Sequence, residues 1–131
     1  MIESHTEVAG SPRQQISVGA HQLFADMLVG SGGAGSAPDA HDLFDASLAA
    51  CKALTAHWYA KQRGFPLERV TTQVERDASH EKEGRYGLTV TLQFHGPLTD
   101  EQRARLHDVV GRCPVHKLMT STEITITTKQ G

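Results

Sequence analysis

Aromatic side chains make up only 5% of this 131-residue chain, and cysteine occurs just twice, at positions 51 and 113. Two cysteines in a chain of this length do not build a disulfide scaffold, so free thiols, buried or reactive, are expected in a reducing compartment. No stretch approaches the roughly 20 consecutive apolar residues that span a bilayer, which argues against a membrane protein. The opening MIESHTEVAG lacks the charged-then-apolar order of a secretory leader, and the expected location is the cytoplasm. Charge of one sign is also missing. The net charge is -2, the pI is about 6.4, and Lys and Arg are scattered, so there is no electrostatic case for a nucleic-acid partner. What remains, 38% hydrophobic residues and a mean hydropathy of -0.37, fits one ordinary domain over residues 1–131 with a single core.

Short runs around Ile16–Val18 and Gln22–Met27, separated by Gly19, have strand character. GSGGAGSA (30–37) is a flexible loop rather than a domain boundary, because the residues before it are too few for a core of their own. The N-terminal ribbon and loop, residues 1–37, must therefore pack on something else, and residues 38–131 form a helix-sheet core. From Asp39 to Gly64 there is no internal Gly or Pro, and alanine recurs throughout. Asp39 or Asp42 can cap the start, and Gly64 followed by Pro66 stops the run, which predicts a central helix of about 23–25 residues. Phe44, Leu48, Cys51, Leu54 and Trp58 form one apolar stripe along it.

Two alternating runs follow, Val70–Thr72–Val74 and Tyr86–Leu88–Val90–Leu92–Phe94, joined by a charged connection, which predicts a hairpin. Thr99 to Gln102 fits a capping box for a second helix carrying Leu106, Val109 and Val110 inward. Pro114 interrupts that helix and suits the first turn of a short third one, PVHKLMTS. EITITT (123–128) alternates again and reads as a closing strand. The fold class is α+β, with a mostly antiparallel sheet and a long central helix.

The chemistry rests on the two cysteines. Cys113-x-x-His116 has ligand-like spacing, and Cys51 with His57 would complete a set of four. Position 57, however, lies about 240° around a helix axis from position 51, so those side chains diverge, and no metal site is expected. The remaining histidines (5, 21, 41, 80, 95 and 107) show no paired spacing. Cys51, on the apolar stripe, reads by itself as core filler. Cys113 stands before Pro114 at the expected start of a helix, where backbone N–H groups and the dipole favour a thiolate, and His116 lies one turn further. GSGGAG lacks the Lys-Ser/Thr of a phosphate loop, and no cofactor is implied.

PDAHDLFDASLAACKALTAHWYAKQRGFPLERV, followed later in the chain by GRCPVHKLMTS, resembles the OsmC/Ohr family of thiol peroxidases, and within it the OsmC-like branch with a CPVH-type second motif. The resemblance runs over roughly residues 15–131 in element order. It implies that Cys51 attacks the peroxide O–O bond as a thiolate and becomes a sulfenic acid. Cys113 then condenses with it to a disulfide, which an external dithiol (lipoyl-type or a small thiol) reduces. It also implies an intertwined homodimer, in which the N-terminal ribbon packs on the partner subunit. Phe44, Leu48 and Trp58 would receive the alkyl part of an organic hydroperoxide.

This sequence departs from the family pattern at two positions. The family places a glutamate ten residues before the first cysteine, where this chain has His41 with Asp42 beside it, so Asp42 is the candidate for the acidic role. Positions 41–42 lie about 14–15 Å along a helix from position 51, too far for direct contact, so they would serve the partner subunit's cysteine. Asp42 can equally be a charge stabilising the helix start. Arg13 is the candidate for the family's ribbon arginine, with a solvated loop charge as its other reading. His41 and His116 are supporting residues. Two alternatives keep the fold: a non-enzymatic protein holding a small ligand in the apolar pocket, and a redox sensor in which Cys51–Cys113 oxidation alters a partner interaction.

Overall fold

A computed structural model describes all residues, 1–131, as two units, Met1–Phe44 and Asp45–Gly131. The first unit holds three antiparallel strands in sequence order, β1 (Ile2–Thr6), β2 (Gln14–Val18) and β3 (His21–Ala25). Register pairs Ser4 with Ile16, and Ile16 with Leu23. The expected strands at 16–18 and 22–27 are β2 and β3, while β1 carries no apolar alternation and forms through pairing to β2. Beyond β3, the loop folds around Asp26, which is 5% exposed. Its carboxylate accepts from the backbone N–H groups of Met27, Ala34 and Ser36 and from the Ser36 hydroxyl (2.6 Å). The Gly/Ser-rich stretch is thus wrapped on one buried carboxylate.

Helix α1 spans Ala40–Arg63, 24 residues, in agreement with the length expected from sequence. Asp39 and Asp42 cap its start reciprocally: the Asp42 N–H donates to Asp39 Oδ1 (2.8 Å) and the Asp39 N–H to Asp42 Oδ2 (3.1 Å). At the other end Gly64 takes a left-handed conformation (φ 69°), which costs glycine nothing. The Phe65 N–H then reaches back to the Ala60 carbonyl, and the Phe65 ring packs edge-on against Tyr59, the hydrogen bond and apolar contact of a Schellman stop.

The second unit adds an antiparallel hairpin, β4 (Arg69–Asp77) and β5 (Gly87–His95), with Val70 opposite Phe94, Thr72 opposite Leu92 and Val74 opposite Val90. Alternate residues of both strands turn inward, as the sequence pattern requires. Helix α2 (Asp100–Val110) starts at a complete Thr99/Gln102 capping box, and α3 (Pro114–Ser121) starts at Pro114 with Cys113 as its N-cap residue. The core gathers Ala56, Tyr59 and Ala60 of α1, Phe94 of β5, and Leu106 and Val110 of α2. Arg103 ties α2 to the hairpin through the Phe94 and Gly96 carbonyls.

Two expectations are corrected. Residues 123–128 form no strand, and Ile124 (59%) and Ile126 (83%) stay exposed, because a strand needs a hydrogen-bonded neighbour and none pairs with them. The apolar stripe of α1 is also only partly its buried face: Leu48 is buried and Cys51 half-buried. Phe44 (43%), Leu54 (69%) and Trp58 (62%) are exposed, whereas Asp45, Leu48, Lys52, Ala56, Tyr59 and Ala60 are buried. The helix turns a neighbouring face inward, and that face carries two charges. No helix is long and apolar enough to cross a membrane.

Leu106, fully buried among these elements, is expected to cost about 2–5 kcal/mol when changed to alanine, read by chemical denaturation. Asp26, lowered from 3.8 to about 2 chiefly by its Ser36 hydrogen bonds, contributes stability that is present above its unfolded pKa. That contribution is lost as pH falls through this interval. The protection of the Ala34 and Ser36 amides is expected to fall there, read as hydrogen-exchange rates relative to the intrinsic rate at each pH.

Candidate active site

Helix α1 presents Cys51 and Lys52 on successive residues, about 100° apart around the axis. Cys51 is partly exposed, and its sulfur accepts the backbone N–H of Val115 at 3.4 Å, in the first turn of α3. The Thr55 hydroxyl lies 4.0 Å from the same sulfur. The Val115 contact places the sulfur at the N-terminal end of an eight-residue helix.

Cys113 is fully buried at the α2–α3 junction, and both cysteines are free thiols. Burial pushes the Cys113 thiol up, while the backbone N–H of His116 pulls the other way. Cys51 raises it through a hydrogen bond and through charge, and the Lys52 cation lowers it. Cys113, the N-cap residue of α3, lies two residues before the Val115 N–H that meets the Cys51 sulfur, so two cysteines 62 positions apart in the chain come to the same helix start. Helix packing brings together the pair singled out in the sequence.

His116 belongs to the same cluster. Its Nδ1 is 3.2 Å from Lys52 Nζ, and Lys52 Nζ also donates to the Val110 carbonyl at 2.8 Å. Sequence reasoning passed over Lys52, which is 4% exposed. The available signal was its place on the 48–52–56 line, where a lysine interrupts inward-facing Leu48 and Ala56. Asp45 was missed for the same reason. It is 7% exposed, accepts from Arg76 Nε at 2.6 Å and from the Tyr86 hydroxyl at 2.8 Å, and ties α1 to the hairpin. No group of three or more His, Cys, Asp or Glu side chains converges to hold a metal ion.

Arg13, His41, Asp42 and Phe44 belong to the first unit. Arg13 pairs with Glu7 (2.6 Å), donates to the Ser36 carbonyl and hydroxyl, and lies 4.7 Å over the Phe24 ring. It is thus positioned within the ribbon and is not a freely solvated charge. Asp42 takes part in the cap of α1 described above. Of the three residues expected to line an apolar pocket, Leu48 is buried, while Phe44 and Trp58 are exposed.

The model of the OsmC-like protein family matches residues 33–129. No curated protein matches the chain. Among solved structures it is similar to an OsmC-like protein from Mycoplasma pneumoniae, with 17% identity, a TM-score of 0.73, and 92% of this chain and 86% of that one covered. An organic hydroperoxide resistance protein OsmC from Legionella pneumophila shares 25% identity, with a TM-score of 0.64 and coverage of 92% and 88%. The organic hydroperoxide resistance protein OhrB of Bacillus subtilis shares 19% identity, with a TM-score of 0.55 and coverage of 92% and 90%.

The difference in burial between the thiols is open to direct measurement. Alkylation of the native protein is expected to modify Cys51 first and Cys113 only after denaturation, read as the order of labelled peptides by mass spectrometry.

Proposed function

The chain belongs to the family of OsmC-like proteins, and on that premise we propose that it is a cysteine-based peroxidase acting on organic hydroperoxides. The observation that carries the reading is the meeting of Cys51 and Cys113 at the N-terminus of α3. A Cys51 thiolate attacks the O–O bond, taking one oxygen as a sulfenic acid and releasing an alkoxide that leaves as the alcohol after gaining a proton. The Cys113 thiolate then attacks the Cys51 sulfur, forming the disulfide and expelling hydroxide, which leaves as water. An external dithiol, lipoyl-type or a small thiol, returns both cysteines to thiols by exchange. The Val115 N–H supports the first step by donating to the attacking sulfur.

The working form in this reading is a cytoplasmic homodimer. Exposed Phe44, Leu54 and Trp58 on one side of α1, and the alternating exposed Ile124 and Ile126, support it: each is apolar surface that a second copy would cover. The tail 123–128 would find its strand partner there, and the N-terminal ribbon its packing surface. Arg13 and Asp42, contributed across the dimer with His41 beside them, would hold the peroxide. Phe44, Leu48 and Trp58 would contact its alkyl group.

The test is hydroperoxide consumption with a dithiol reductant. Wild type is expected to turn over and Cys51→Ser to fall to background. Cys113→Ser is expected to stop at a Cys51 sulfenic acid. A wild type no faster than Cys51→Ser overturns the reading.

A further inference from the structure

Lys52 is an unusual residue to bury. Its amine lies inside the second unit with no carboxylate within 4.0 Å, since it takes part in none of the ion pairs of the structure. An ammonium withdrawn from water without a counter-charge is costly, and it has three N–H donors to satisfy. Two partners are in place, the Val110 carbonyl and His116 Nδ1. Both carry only partial negative charge. Val110 is the last residue of α2, so its carbonyl stands at the negative end of that helix. His116 can accept from Lys52 only in the neutral tautomer with its proton on Nε2. The site therefore holds a positive charge in place without neutralising it.

The group nearby that can acquire a full negative charge is a thiol. Lys52 Nζ and the Cys113 N–H share the Val110 carbonyl, at 2.8 and 3.3 Å, so the amine stands beside Cys113. The other titratable groups there are Cys51 from α1 and His116 from α3, whose ring is hydrogen-bonded to Lys52. Cys51 lends no positive charge, and His116 in its Lys52-accepting tautomer is neutral. We propose that Lys52, held by the Val110 carbonyl and His116, is the counter-cation of a thiolate at Cys113 and serves the disulfide-forming step. It is a positioning residue, acting through the charge of Cys113 and not on the peroxide. The assignment rests on the peroxidase reading for the step it serves, but the electrostatic pairing stands apart from it. With Lys52 present, loss of the Cys113 proton converts an uncompensated cation into an ion pair. Without it, the same ionisation leaves a lone anion in a fully buried position. Lys52 opposes the penalty that burial places on the Cys113 thiolate.

Two measurements decide the matter. In a Cys51→Ser background, Cys113 ionisation is followed across pH by thiolate ultraviolet absorbance, with Lys52 intact, Lys52→Met and Lys52→Arg. Lys52→Met is expected to move the titration upward by about one pH unit or more, and Lys52→Arg to restore most of it. In the two-cysteine protein, one equivalent of an organic hydroperoxide is added with a sulfenic-acid trap. Lys52→Met is expected to accumulate the trapped Cys51 sulfenic acid and to close the disulfide about tenfold more slowly than the parent, following the thiolate fraction at Cys113, with Lys52→Arg restoring most of the closure rate. Should Lys52→Met fail to fold, Lys52→Gln keeps an N–H donor for Val110 without the charge and carries the same comparison. An unmoved Cys113 titration, with only a lowered melting temperature, overturns the proposal and leaves Lys52 as a cap on α2. Failure of the peroxidase reading shows separately, as no sulfenic acid in any variant while the titration shift remains.

Discussion

The carbonyl of Val110 is the point on which the geometry of the candidate site depends. It accepts the Cys113 N–H at 3.3 Å, which turns the chain out of α2, and the Lys52 amine at 2.8 Å, which anchors α1 against that turn. Pro114 then opens α3 at once, because its fixed φ suits a first helical turn and it has no N–H to leave unpaired. With α3 started there, the Val115 N–H reaches the Cys51 sulfur and His116 reaches Lys52. One buried acceptor thus sets the positions of both thiols, the amine and the imidazole.

Helix α1 departs from the usual arrangement of an amphipathic helix. Its inward line of Asp45, Leu48, Lys52, Ala56 and Tyr59 contains two charges, and its outward line includes Phe44, Leu54 and Trp58. Each buried charge has a reason to be there. Asp45 is met by the Arg76 guanidinium and the Tyr86 hydroxyl from the hairpin, so its lone pairs are occupied. Lys52 is met by a carbonyl and an imidazole nitrogen, partners suited to a proton donor next to thiols. The exposed apolar line is the price of turning those groups inward, and a second copy of the chain would cover it under the homodimer reading.

Much of the fold was legible in the sequence because its signals are local. The limits of α1 follow from Asp39 and Gly64, the start of α2 from the Thr99/Gln102 box, and the start of α3 from Pro114. The hairpin followed from strict alternation on both strands. β1 was not legible, since IESHT has one apolar residue and all five positions are exposed, so pairing with β2 alone makes it a strand. The tail 123–128 shows the converse, with clear alternation and no neighbour to pair with. The two cysteines stood out through a family resemblance. Lys52 did not, because in a helical pattern a lysine marks solvent until a partner from another element shows otherwise.

By itself, then, the sequence determined the class of fold, the ends of its helices and the two sulfurs on which the proposed chemistry rests. Caps, prolines and alternation act within a few residues and need nothing distant. Tertiary structure decided which face of α1 is buried, that both cysteines come to the start of α3, and that a lysine shares their site. Those outcomes depend on α2 ending where its last carbonyl can receive an amine from a helix 58 positions earlier. No local pattern encodes a contact of that range.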